Sequence, residues 1–195
     1  MRLIGTACVS IAVCLVFGGI ADGGGPRTSV HFYTAFKEGG LRPSIVVSKR
    51  VRGRCYAGSE VEGRPYVWVC VWGNVLADPC FSATASSGSA FCPLAPWSNR
   101  GALVRARLRG WKLTHPEIIR TWPWGIQTAS GKRCIAIRTG TSSIRGMRVN
   151  HGCGGGGFLV GPVDRRSPTW TILYGRRFNG GRTKLTRIAV RTAWW

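Results

Sequence analysis

Acidic side chains are scarce in this chain. Only 7 Asp plus Glu stand against 28 Lys plus Arg in 195 residues, and histidine occurs 3 times. That shortage removes much familiar chemistry. A glycosidase needs two carboxylates flanking a sugar ring, and a serine nucleophile needs a histidine and a carboxylate brought together. No Gly-x-Ser-x-Gly elbow is present. Zinc spacings of the Cys-x-x-Cys or His-x-x-x-His kind are missing as well. The glycine run Gly154–Gly157 is followed by Phe158-Leu159-Val160 rather than Lys-Ser/Thr, so it reads as a hairpin turn and not a phosphate loop. No window of a dozen residues carries a capped helical period, and only a short helix around His115–Arg120 is expected. No cofactor and no metal are implied.

Long hydrophobic runs are limited to the amino terminus. Arg2 precedes an apolar stretch from Leu3 to Ile20, and Gly19 and Ala21 supply small residues at a cut. This predicts a signal peptide over 1–21, with an uncleaved membrane anchor as the competing reading. Export is expected, placing the protein in a secreted or extracytoplasmic setting. Residues 22–43 read as a flexible linker, on Gly23-Gly24-Gly25-Pro26 and Gly39-Gly40. Residues 44–195 read as a single β-rich secreted domain.

Removal of the signal leaves Cys55, Cys70, Cys80, Cys92, Cys134 and Cys153. An even set in an exported chain predicts disulfides, for which six cysteines allow 15 connectivities. A weak internal repeat bears on the choice. Arg54-Cys55, Arg64, Cys70 and Pro79 in one half echo Arg133-Cys134, Arg148, Cys153 and Pro162 in the other. If each unit is closed by its own bridge, Cys55 pairs with Cys70 and Cys134 with Cys153, which leaves Cys80 with Cys92.

Short apolar runs broken by glycine and proline predict an all-β fold, an antiparallel sandwich or barrel-like domain of two weakly repeated, disulfide-linked β units. Tyr66–Trp72 is apolar on both faces and reads as a central buried strand. Gly73-Asn74 then gives a two-residue hairpin turn. Further strands are expected at Ser44–Ser48, Arg133–Arg138 and Thr169–Tyr174. Asp78-Pro79-Cys80-Phe81 reads as a pinned turn in which the aspartate bonds nearby backbone amides.

The formal charge of +21 and pI near 11.3 rest mostly on arginine. In Leu103–Arg109, Val104, Ala106 and Leu108 alternate with Arg105, Arg107 and Arg109. At strand spacing those guanidinium groups recur about every 7 Å along one face. Arg187 and Arg191 form a thinner stripe. The partners this implies are an anionic polymer or membrane surface, or nucleic acid bound without sequence preference. The plain alternative is a solvated arginine-rich surface, and no protein partner is indicated. Trp122 and Trp124 are candidates for an exposed aromatic binding surface, as is Trp194-Trp195, whereas Trp68 and Trp72 read as core. His151, Asp164 and a serine make the barest of triads, against which His151 reads better as a surface or strand-end residue. Glu60 and Glu62 read as surface charges.

Several segments resemble uncharacterised secreted proteins of actinobacteria. They are Cys55-Tyr-Ala-Gly-Ser59, Arg64-Pro-Tyr-Val-Trp-Val-Cys70, Gly73-Asn74, Asp78-Pro-Cys-Phe81, Phe91-Cys-Pro93 with Trp97, Trp124–Cys134, Arg148-Val-Asn150 with Cys153, and Asp164-Arg-Arg-Ser-Pro-Thr-Trp-Thr-Ile172. The likeness spans most of residues 50–195. It implies export, disulfides and one β-rich domain, and no reaction, since the group carries no known activity. The function expected is therefore non-catalytic binding. A secreted hydrolase with an unrecognised site, or a structural or protein-interaction module of the cell envelope, are the alternatives.

Overall fold

The computed structural model describes residues 26–59, 61–62, 64–108, 122–137, 142–178 and 182–195. The expected signal peptide, the helix near His115, and the positions of Arg109, Arg138 and Glu60 lie outside them. Among the described residues the fold is all-β, without helix.

Strands β1 (Ser29–His31), β2 (Phe36–Lys37) and β3 (Gly40–Leu41) precede the first large sheet. That sheet comprises β4 (Val46–Arg52), β5 (Arg54–Ala57), β6 (Val67–Trp72), β7 (Val75–Phe81), β8 (Ser89–Pro93) and β9 (Arg100–Arg105). From β5 to β9 each strand runs antiparallel to the next, and β4 then pairs parallel with β9. The two edge strands, β4 and β5, are consecutive in the chain and separated by Gly53 alone, so the sheet curls until its ends meet at that residue. A Cβ on Gly53 would fall 2.5 Å from the Val71 carbonyl oxygen and 2.9 Å from Val104 Cγ1. Only glycine passes through that seam without displacing β6 or β9.

The second unit is built from β10 (Gly125–Thr128), β11 (Arg133–Ala136), β12 (Ser143–Ile144), β13 (Met147–Cys153), β14 (Phe158–Asp164), β15 (Thr171–Gly175) and β16 (Leu185–Trp194). Apart from β12, which pairs only with β13, these strands form a closed six-stranded antiparallel barrel, completed where β16 meets β10. Closure leaves the barrel few open edges. Strand β1 adds in parallel to the end of β16, pairing His31 with Trp194.

The three bridges are Cys55–Cys70, Cys80–Cys92 and Cys134–Cys153, the pairing the repeat suggests. The repeat has a topological counterpart. Cys55–Cys70 joins β5 to β6 with Pro79 on the next strand, and Cys134–Cys153 joins β11 to β13 with Pro162 on the next.

Burial follows the alternation of the strands. Trp68, Cys70, Cys80, Cys92, Val104 and Leu108 fill the first unit, whereas Ile126, Cys134, Leu159, Ile172, Val190 and Trp195 fill the barrel. A third cluster, with Tyr33, Val67, Phe81, Phe91 and Trp124, packs the outer face of the first sheet against β10 and β11. Because β6 contributes Trp68 and Cys70 to one core and Val67 to another, it needs apolar side chains on both faces.

Two expectations are corrected. The stretch 22–43 is not a free linker where it is described: β1 is held on β16, and Tyr33 and Ala35 are buried. Its Glu38 and Gly39 adopt positive φ as the tight turn joining β2 to β3, so glycine there marks a hairpin rather than looseness. Asp78-Pro79, read as a turn, lies inside β7 with a cis peptide bond, where the pairing with β6 shifts between Trp68 and Cys70. A bulge tolerates proline because its missing N–H is not needed for the ladder. The Asp78 carboxylate accepts a hydrogen bond from the Ser59 hydroxyl.

Candidate anion-binding site

Strand β4 carries Lys49, Arg50, Val51 and Arg52 at a pairing shift between Val47 and Lys49. Val51 packs against the first core, which turns Arg50 and Arg52 outward to the same face, about 7 Å apart along the strand. The parallel pairing then sets Arg52 beside Arg105, at an interstrand spacing of roughly 4.8 Å, and the next strand sets Ser89 opposite Arg105. Together with Val51, Gly88 and Leu103 they line an open concavity of about 580 Å³.

No carboxylate among the described residues is paired with this group, and Asp78 accepts from the Ser59 hydroxyl. Among the described residues Glu38 pairs with Lys37, Glu62 with Arg64, and Asp164 with Arg166 and Arg187. Two unit charges 7 Å apart in water repel by roughly 0.6 kcal/mol. The cluster is therefore held together by the strand register and not by any pairing of its own. Arg54 and Arg107 are exposed on the same unit, and Lys49 lies 5.3 Å from the centre of the Trp72 ring. Forked guanidinium donors at this spacing suit phosphate or carboxylate oxygens.

Of the arginines expected from sequence, Arg105 lines the concavity. Arg107 is exposed beyond the end of β9, with Ala106 and Leu108 buried as the alternation requires. Arg187 and Arg191 lie on β16, on the barrel rather than the first sheet. Arg187 is partly neutralised: its Nη1 is 3.5 Å from Asp164 Oδ2 and donates to Thr171 Oγ1 at 3.1 Å. Arg50 and Arg52 escaped the sequence reading because the bulge breaks the alternation of β4. The run Lys49-Arg50-Val51-Arg52 was the signal that should have found them. A second basic concavity of about 440 Å³ is lined by Arg176, Arg177, Arg182, Thr183 and Lys184.

The aromatic expectation is corrected for Trp124, which is 2% exposed and packs with Tyr33 and Phe81. Its position just ahead of β10 makes it one of the contacts between the two units. Trp122 is half-buried, with the Arg148 guanidinium 5.4 Å from its ring centre. Trp195 is buried and Trp194 half-buried. Trp68 is core, its Nε1 donating to Ser82 Oγ at 2.8 Å, whereas Trp72 is half-buried beneath Lys49.

The triad residues are not assembled. His151, expected at the surface, is fully buried on β13, and burial pulls its pKa down to about 4. Its Nε2 donates to the Pro123 carbonyl oxygen, which fixes the neutral tautomer with Nδ1 bare. Asp164 accepts from Arg166, and this charge-assisted bond holds its carboxyl well below the usual carboxylate range. Glu62, expected as a surface charge, is buried, with one oxygen 3.0 Å from Arg64 Nε and the other unpartnered.

Fold and candidate site together describe a disulfide-linked all-β protein with a curled six-stranded sheet, a closed six-stranded barrel, and an arginine cluster on the first that no described carboxylate opposes. No family model matches the chain, and neither the curated proteins nor the solved structures yielded a significant match.

Proposed function

We propose that this is an extracytoplasmic, non-catalytic binding protein that engages an anionic polymer or surface through the arginines of its first sheet. The observation that carries the reading is that Arg50, Arg52 and Arg105 share one open concavity without a carboxylate partner among the described residues. Three bridges support an oxidising setting, and the resemblance to secreted actinobacterial proteins supports the same. A hydrolase centred on His151 finds no support in its geometry, because its Nε2 is committed to Pro123 in the core.

The test is binding of the folded, oxidised protein to cell wall, anionic vesicles and duplex DNA across a salt series. An unrelated protein of equal charge serves as the control. Binding beyond the control near physiological salt is expected. Replacing Arg50, Arg52 and Arg105 with glutamine is expected to weaken it and to lower the salt slope by roughly 2 to 3 on DNA, near 0.9 for each phosphate no longer neutralised. Binding and slope unchanged by the triple substitution overturn the proposal.

A further inference from the structure

The first core holds two bridges side by side. Strand pairing sets Cys55 opposite Cys70, and the pairing of Phe81 with Phe91 sets Cys80 opposite Cys92 one residue along. All four cysteines sit on consecutive strands, β5 to β8, and belong to one cluster. The Sγ atoms of Cys70, Cys80 and Cys92 lie within 4.8 Å of one another. Cys55 is half-buried at the outer end, while Cys70, Cys80 and Cys92 are 0%, 0% and 3% exposed. The bridge Cys134–Cys153 packs in the other core, apart from this set.

The geometry points to a thiol–disulfide exchange site, in which an external thiol enters at Cys55 and the opening is passed inward to Cys80–Cys92. The co-reactant is a small thiol or the thiol of a reducing protein. Its thiolate attacks Cys55 Sγ, on the more exposed residue of the bridge. A bond forms between that sulfur and Cys55, and the Cys55–Cys70 bond breaks with its electron pair on Cys70. The expelled thiolate lies in an apolar core, where the charged form is disfavoured. It faces a second disulfide at an effective concentration that no dissolved thiol matches. Cys70 attacks one sulfur of that bridge, forming Cys70–Cys80 or Cys70–Cys92 and releasing the other cysteine as thiolate. A second external thiolate then cleaves the mixed disulfide at Cys55. Two external thiols leave as one disulfide, and the protein gains two thiols, one at Cys55 and one at Cys80 or Cys92. The step follows ordinary exchange chemistry.

Folded wild-type protein is exposed to limiting glutathione, quenched with acid, alkylated and mapped by peptide mass. The expected product is a bridge from Cys70 to Cys80 or Cys92 in most molecules whose Cys55 has reacted, with Cys134–Cys153 intact. Molecules in which Cys55 and Cys70 are both alkylated and Cys80–Cys92 remains whole overturn the inference. Bridges that include Cys134 or Cys153 overturn it too, since they mark general scrambling. The variant Cys55→Ser, oxidised during folding, gives a second readout. It is expected to carry Cys70 bonded to Cys80 or Cys92, and a free Cys70 beside the native bridge overturns the inference. The wild-type measurement stands whether or not the variant folds.

Discussion

The imidazole of His151 is tied to the Pro123 carbonyl by a 2.7 Å hydrogen bond from Nε2, 28 residues away in the chain. Strand β13 is thereby fastened to the segment entering β10. Burial keeps the ring neutral, lowering the pKa from 6.5 to about 4 against the opposing pull of the Pro123 bond. Between those values the unfolded chain binds a proton that the folded one refuses, so stability falls as pH falls through that window. One group supplies about 1.4 kcal/mol per pH unit, hence on the order of 3 kcal/mol from pH 6.5 to 4. Denaturant titrations at several pH values are expected to show this slope. In His151→Gln, which keeps an N–H donor and cannot titrate, the slope should flatten; an unchanged slope would place its origin elsewhere.

Gly53→Ala is expected to destabilise the first unit by roughly 1 to 3 kcal/mol, the usual cost of forcing atoms into a packed site. The added methyl meets the Val71 carbonyl oxygen and Val104 Cγ1, neither of which can swing aside. Gly73→Ala provides a contrast, since a Cβ there has nothing within 4 Å although its φ is +51°. Thermal melts of the two variants test the difference, with Gly53→Ala the lower.

Trp124→Ala should cost about 3 to 5 kcal/mol, as for other large aromatics lost from a core. Tyr33, Phe81 and Trp124 form a triangle with ring centres 5.0, 5.4 and 5.9 Å apart, and it is part of the packing between the two units. The same change opens the site to water. Burial pushes the Tyr33 phenol up to about 12, and ultraviolet titration of the variant is expected to bring it back toward 10.

Arg105→Gln is expected to weaken anion binding more than Arg187→Gln does. Arg187 already faces Asp164 and Thr171, whereas Arg105 has no such carboxylate among the described residues and lines the concavity. Single-variant salt series on anionic vesicles make the comparison. Equal losses would mean that net charge, and not the first sheet, governs binding.

Much of the fold was legible because strand burial has a period of two, and the apolar residues here obey it. Val104, Ala106 and Leu108 are buried where alternation puts them, and of the expected buried strand Tyr66–Trp72, Val67–Cys70 are buried, Val71 and Trp72 are half-buried, and Tyr66 is exposed just ahead of β6. The spacing of cysteine and proline carried the pairing of the bridges. What failed were features set by long-range neighbours. His151 and Trp124 sit in sequence contexts that suit the surface, yet strands from elsewhere cover them. Arg50 and Arg52 were hidden by a bulge that only the pairing with β9 reveals.

Strand β1 completes its pairing only on Thr192, Ala193 and Trp194, and the Thr28 hydroxyl bonds the Val190 carbonyl across 162 residues. A chain made from its amino end therefore holds Ser29–His31 without its partner until Thr192–Trp194 have been added. Contacts so distant in sequence form late and slowly. Through that interval Val30 and Phe32, which stay 41% and 64% exposed even in the finished fold, are bare, and chaperone occupancy should concentrate there while the barrel waits for its final strand.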